Sequence, residues 1–341
     1  MSKTIIVTGI SGSGSKAFCA RYAKGKNIRV FNTGDLLFEF AQKSQNSRHL
    51  AKENLMNLQP MMIANLRAQV FEHILDEMEK SSVDRFIIDM HAQFFWNDVF
   101  KNAFDWHYLN KLNADLYVTI IDKPSSIRER QLMTEQGQAQ DHNLRDILLW
   151  QNIEVNVTKG WAENFGKPAY VLPSAQQPAI IESLLQNAFL IYFQMPMTHA
   201  TKKQDMEITR FMNACLNLGK EINGLPTPLV DPRDIDIETG ENMNPRVERA
   251  IRLQTNHRDL NWYIAEASDL VAFYPVGAPL SKGVSDETTR GFETGKNTFV
   301  VYPKENRSPF MDRASKVFVT EKDFFKFFKG YMKKRMQEMR R

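Results

Sequence analysis

Two places in the sequence combine residue types and spacings that do chemistry. The first is Gly9-Ile10-Ser11-Gly12-Ser13-Gly14-Ser15-Lys16, directly after the apolar run at residues 4–8. Glycines and small hydroxyl residues between a buried strand and a helix start leave backbone N–H groups and the positive end of the helix dipole aimed at one spot, which suits phosphate. Gly9 to Gly14 has phosphate-loop spacing, but that pattern continues with Lys and then Ser or Thr; here Ser15 intervenes, Lys16 comes one place late and Ala17 follows. The segment reads either as a phosphate cradle or as a Gly-rich strand-to-helix turn. The second place is a helical pattern carrying Asp259 and Trp262, an apolar run at 270–274, a Gly/Pro loop, and Ser281-Lys282-Gly283-Val284-Ser285-Asp286-Glu287 opening another helix. An acidic residue in the first turn after a strand stands at the carboxyl edge of an α/β sheet, where ligands bind. Its alternative is a helix-start acid favoured by the dipole. Ser281 and the Gly283 backbone form a potential anion site there.

The elements that must position these residues alternate. Apolar runs at 3–8, 28–33, 86–92, 114–122 and 169–173, with helical patterns between them, predict parallel βαβ units, and 174–187 reads as a closing helix. A second series runs through 189–196, 227–231, 269–275 and 297–303. The reading is two α/β domains, 1–187 and 188–320, followed by a basic aromatic helix at 321–341. At 341 residues the chain exceeds what one core organises, in keeping with two domains.

The first half resembles the archaeal-type adenylate kinase family of P-loop nucleotide kinases over residues 3–175. VTGISGSGS matches its first strand and loop, FNTGDLLFEFA (31–41) its monophosphate side and IIDMHA (87–92) its second acidic strand end. The resemblance implies a nucleotide site built from Gly9, Gly12, Ser13, Gly14, Ser15 and Lys16, with Gly34 and Asp35 near a nucleoside monophosphate, Asp89 near the metal and phosphates, and ATP with magnesium as ligands. The lid stretch RQLMTEQGQAQDH places Gln138 and Gln140 before Asp141, where the family carries arginines that clamp the transferred phosphoryl group. With Lys16 displaced by one residue, about 100° on a helix, and so turned away from the nucleotide, this half is expected to bind nucleotide without transferring phosphate. Arg128 and Arg130 either supply charge or are solvated helix positions.

The second half resembles the nucleoside 2-deoxyribosyltransferases and their relatives, the deoxynucleoside 5′-monophosphate N-glycosidases, strongly over 255–303 and more weakly over 189–254. The signature is a helix bearing Asp, a strand beginning Ser-Asp or Ala-Asp, and Ser-x-Gly-Val-x-x-Glu; here these are Asp259, Ser268-Asp269, and Ser281-x-Gly283-Val284-x-x-Glu287. The loop IYFQMPMTHA carries Met195 and Met197 in place of the family's glycines. The resemblance implies a flavodoxin-like (Rossmann-type) domain that breaks a C1′–N bond, with Glu287 as nucleophile, Asp259 positioning the sugar or managing a proton, and Ser281 and Gly283 taking a 5′-phosphate. Tyr192, Phe193 and Trp262 either flank the base or belong to the core. Asp269 reads as structural, and Asp231 with Asp234 as a loop-shaping pair. His199 and His257 lack ligand spacing, so no metal is expected. No cofactor is implied for the cleavage, and a homo-oligomer is, because sites of this family often borrow residues from a neighbour.

Charge and composition bound the rest. Net charge is +4, but 321–341 carries eight basic residues against three acids, leaving the body near −1. A nucleic-acid-binding surface is not expected from that balance. Phe324, Phe325, Phe327 and Phe328 precede the basic residues, so the tail either docks on its own domain or lies on an anionic membrane surface. The N-terminus lacks the pattern of a secretory signal, no apolar run reaches the length of a membrane span, and the two cysteines, Cys19 and Cys215, have no disulfide or metal spacing. A cytoplasmic enzyme is expected, acting on a nucleotide or nucleoside. The rivals are a bifunctional kinase plus N-glycosidase and a non-catalytic nucleotide sensor or defence-type assembly.

Overall fold

The computed structural model describes residues 2–43, 50–187, 189–197, 200–235, 243–304 and 309–338. It divides into two compact units, Met1–Pro178 with Ile237–Arg252, and Ala179–Asp236 with Leu253–Arg341. His199 and the last three residues of the basic tail lie outside the described residues.

The first unit runs β1 (Lys3–Thr8), α1 (Ser15–Ala23), β2 (Ile28–Asn32), α2 (Thr33–Lys43), α3 (Pro60–Lys80), β3 (Arg85–Met90), β4 (Gln93–Trp96), β5 (Val99–Asn102), α4 (Trp106–Leu112), β6 (Leu116–Ile121), α5 (Pro124–Leu132), α6 (Glu135–Gln140), α7 (Leu144–Phe165) and β7 (Ala169–Pro173). Five parallel strands lie in the order β2-β3-β1-β6-β7. Their near-continuous apolar runs are what a sheet covered on both faces requires. β4 and β5 form an antiparallel hairpin that the sequence pattern did not reveal. Asn97 and Asp98 at its tip hold φ of 48° and 58°, the left-handed pair that a two-residue hairpin turn demands.

The second unit contains α8 (Ile180–Asn187), β8 (Ile191–Gln194), α9 (Lys202–Asn223), β9 (Leu229–Val230), the end of α10 (Pro245–His257), a π-helical turn at Arg258–Tyr263, α11 (Ile264–Glu266), β10 (Asp269–Phe273), α12 (Lys282–Glu293), β11 (Asn297–Val301), β12 (Lys316–Phe318) and α13 (Glu321–Glu338). The strand order is β12-β11-β10-β8-β9, again parallel. The division at Pro178 differs from the expected one at 187. Helix α8 buries Ile180, Ile181 and Leu184, and Ser183 donates to the Pro226 carbonyl at 2.7 Å, which ties it to the second unit.

Pairing in register fixes the two faces of the second sheet. Tyr192 lies beside Leu270 and Gln194 beside Ala272. Ile191, Phe193 and Met195 point the other way, into a core shared with Phe211, Cys215, Phe324 and Phe328. Phe193 is fully buried there against Phe211, 6.0 Å between centroids, which removes it from any base-binding role. The same core settles the tail: Phe324, Phe328, Met332 and Met336 are buried, so α13 docks on its own sheet. Among the described residues no helix is long and apolar enough to cross a membrane.

Helix α9 approaches the 225–227 backbone at Gly219, where a Cβ would stand 2.4 Å from Thr227 N and 2.6 Å from Leu225 O. Gly219→Ala is therefore expected to destabilise the second unit by about 2 kcal/mol. Calorimetric unfolding of wild type and variant checks this, and coincident transitions would contradict the close approach.

Candidate functional site

In the first unit the Gly-rich segment forms a true loop between β1 and α1. Gly12 and Gly14 hold φ of 82° and 91°, and a side chain at Gly9 would collide with Ser13 Oγ at 2.4 Å. The loop borders a cavity of about 560 Å³ whose walls also include Lys16, Gly34, Asp35, Lys52 and Arg130. Lys16 is not turned away from this cavity, as a one-residue slip predicted. Its ammonium pairs with Asp35, which Lys52 also reaches at 3.2 Å. Both lysines hold the Asp35 carboxyl below its ordinary value, against the opposing effect of partial burial.

Asn32 links the two acidic positions. Its side-chain oxygen accepts from Asp35 N at 2.8 Å and its amide donates to Asp89 Oδ2 at 2.6 Å. Burial pushes Asp89 up to about 6, while hydrogen bonds from Ser15 and Asn32 pull the other way. Ser15 thus stands beside the acidic strand end while Lys16 reaches Asp35. Hydroxyl and carboxylate oxygens are the hard donors magnesium accepts. Among the described residues no group of three or more His, Cys, Asp or Glu could hold a metal.

The lid residues are structural. Gln140 accepts from Asn97 N at 2.9 Å and donates to Asn97 Oδ1 at 3.2 Å, pinning α6 to the hairpin tip. Gln138 donates to Leu132 O at 2.8 Å. Neither Arg128 nor Arg130 is a free surface cation: Arg128 bonds Asp141 at 2.9 Å, and Arg130 bridges Gly12 O at 2.5 Å and Asp122 at 2.6 Å. His91, Phe94, Phe95, Trp96 and Trp150 add an aromatic wall to the cavity. The sequence reading missed this wall and Lys52, since β4 carries no turn or Gly signal and Lys52 sits in an unremarkable polar stretch.

Glu154 of α7 lies fully buried behind the loop. It accepts from Ala92 N at 2.7 Å and Gln93 N at 3.0 Å, and from Gly9 N–H as well. Burial nonetheless raises it to about 8. A carboxyl raised on folding stabilises most below its unfolded value, about 4.3, and that contribution is lost as pH rises through about 8. The midpoint of the first unit should therefore fall between pH 5 and pH 8.5 by the usual linkage, and Glu154→Gln should flatten that slope in calorimetry across this range. An unchanged slope would contradict the assignment.

In the second unit Tyr192 and Glu287 meet across the sheet edge, the Tyr192 hydroxyl donating to Glu287 Oε1 at 2.9 Å. The π-helical turn places Arg258 and Asp259 together. Arg258 Nε donates to Asp259 Oδ1 at 2.9 Å and its Nη1 to Ile235 O at 2.9 Å, with both side chains buried. Burial raises both carboxyls; Glu287 rises further because Asp259's charge adds to it, while Tyr192 lowers it and Arg258 pulls Asp259 down. Both carboxyls are thus displaced upward from the ordinary carboxylate range, with Arg258 opposing the rise at each. π-Turns concentrate at functional sites, and neither the turn nor Arg258's role shows in the helical pattern.

The other expected residues fall as follows. Tyr192 is buried and serves Glu287, not a base. Trp262 is buried edge-on to His257, so its ring offers no open stacking face. Ser281 accepts from Val284 N as the cap of α12 and borders a cavity of about 260 Å³ with Tyr274, Ser285 and Thr288, whose walls do not include Gly283 or Glu287. Asp269 is buried, accepting from Asn297 at 2.9 Å and Tyr331 at 2.7 Å. Asp231 pairs with Arg233 at 2.8 Å.

The family model described as an AAA domain matches residues 8–148. Solved structures similar to the chain include TT1252 from Thermus thermophilus (12% identity, 52% of this chain and 90% of that one, TM-score 0.31). They also include a sugar kinase from Janibacter sp. HTCC2649 (15%, 55% and 92%, 0.31) and a gluconokinase from Sinorhizobium meliloti 1021 (15%, 54% and 89%, 0.26). No curated protein matches. The family match and the loop together make the first unit a P-loop nucleotide-kinase-like domain.

Proposed function

We propose that the second unit cleaves the N-glycosidic bond of a nucleoside or nucleotide, by hydrolysis or transfer, and that the first unit binds a nucleotide. The Tyr192–Glu287 hydrogen bond beside the buried Arg258–Asp259 pair carries this reading. The strand order, in flavodoxin-like numbering 2-1-3-4-5, supports it, since it brings β8 and β10 to the centre, with the carboxyl pair at their edge.

In the proposed reaction a Glu287 carboxylate oxygen bonds to C1′ as the C1′–N bond breaks. The base leaves with the bonding pair and is protonated by water. Water, or a second base, then attacks C1′ and releases Glu287. Tyr192 holds one carboxylate oxygen and leaves the other for the sugar. Asp259, paired with Arg258, steadies positive charge developing on the sugar. The same reading carries a homo-oligomeric, cytoplasmic enzyme.

Glu287→Gln should keep the fold and lose base release by a factor of about 10³ or more. Chromatography of free base from a panel of nucleosides and nucleotides reads it, and near-normal turnover would overturn the nucleophile. Because Glu287 must ionise to attack, kcat/KM should rise with pH along a limb above the ordinary carboxylate range. Tyr192→Phe removes a bond that favours the ionised form and should move that limb further up; an unmoved or lowered limb would count against the pairing.

A second reading, a live phosphotransferase in the first unit, is favoured by Lys16 and Ser15 at the cavity. Ser15 and Asp89 would hold the magnesium, which would neutralise phosphate charge. Diphosphate formed from ATP and a nucleoside monophosphate, and abolished in Lys16→Ala, would establish it. Its absence in the wild type leaves the unit a binding domain.

A further inference from the structure

Strand β8 carries two polar side chains on the face it turns toward α12. Tyr192 is committed to Glu287; Gln194, two residues on, is not committed in full. Its side-chain oxygen accepts from Thr288 Oγ1 at 3.4 Å, and its amide nitrogen has no partner among the described residues although the residue is completely buried. A buried donor left unpaired costs stability, and a ligand oxygen that accepts from it would recover that cost. Thr288 directly follows Glu287 on α12, and Gln194 shares its strand face with Tyr192, which bonds Glu287. Along the strand it is displaced from Tyr192 by about 6.6 Å, toward the carboxyl edge.

We infer that Gln194 is a specificity-determining residue that donates its free amide N–H to a hydroxyl oxygen on the sugar of the N-glycoside. The inference rests on the proposed glycosidic cleavage. The ligand closes the open valence, and a sugar lacking that hydroxyl leaves it open.

The test compares wild type with Gln194→Leu, close in volume and without the amide, and with Gln194→Met. Thermal midpoints are measured alongside base release from matched substrates: ribosyl, 2′-deoxyribosyl and 3′-deoxyribosyl forms, each with and without a 5′-phosphate. The expected result is a midpoint at or above wild type, together with a loss of about tenfold or more in kcat/KM for substrates bearing one particular hydroxyl. The analogue lacking that hydroxyl should be handled alike by wild type and variant. A uniform loss across all sugars, a loss that follows only the 5′-phosphate, or a fall in midpoint in both variants would assign Gln194 to packing or to phosphate and overturn the inference. A wild type that releases base while both variants match it overturns the inference and spares the parent reading. A wild type that releases no base from any substrate overturns both.

Discussion

The hydrogen bond from Tyr192 to Glu287 joins an inner strand of the second sheet, β8, to the helix that follows its neighbour β10. A carboxyl there is drawn out of water, and such a group persists only with partners of opposite charge or hydrogen-bond donors. The surroundings supply both. Tyr192 reaches it from β8, while Arg258 neutralises Asp259 on a helical turn wound wider than an α-helix. Gly291 lets α12 approach, since a side chain there would come within 3.1 Å of Leu270 on β10. Sheet, helix and π-turn thus converge on one acidic pair, Asp259 buried and Glu287 half-buried, and partial removal from water without full neutralisation makes such a pair responsive.

The first unit meets a similar constraint differently. Its buried carboxyls, Asp89 and Glu154, are held mainly by hydrogen-bond donors: Ser15 and Asn32 for one, backbone N–H groups for the other. Cations that phosphate chemistry would use are tied up by acids or carbonyls, Lys16 and Lys52 by Asp35 and Arg130 by Asp122 and Gly12. A phosphate entering the cavity would compete with Asp35 for both lysines. The lid is held to the hairpin by Gln140 and Asn97, and the arginine at its start, Arg130, is already bonded to Gly12 O and Asp122.

Much of this was legible in the residues. Alternating apolar and helical runs gave two parallel sheets, and glycines marked the loop because φ near +90° excludes most other residues. The motif Ser281-x-Gly283-Val284-x-x-Glu287 pointed to a helix start at a strand edge. The failures have physical causes. Ile191-Tyr192-Phe193 is apolar throughout, so a strand buried on both faces shows no alternation and Phe193 could not be assigned to the core side. Lys16 was placed by counting helical rotation, but its long side chain curls back to Asp35. Arg258 carries no mark in the sequence, because a π-turn leaves no periodic signature. Gln194 has no sequence signal, and its unpaired amide shows only in the folded chain.

The proposed cleavage turns on a covalent bond between Glu287 and a sugar. A nucleoside or nucleotide whose sugar bears fluorine at C2′ slows breakdown of such an ester by destabilising positive charge at C1′, and the trapped protein can be digested and weighed. The account predicts that the peptide containing Glu287 gains the mass of one fluorinated glycosyl group as one equivalent of base appears. Base release with no adduct, or an adduct on any other residue, would contradict it.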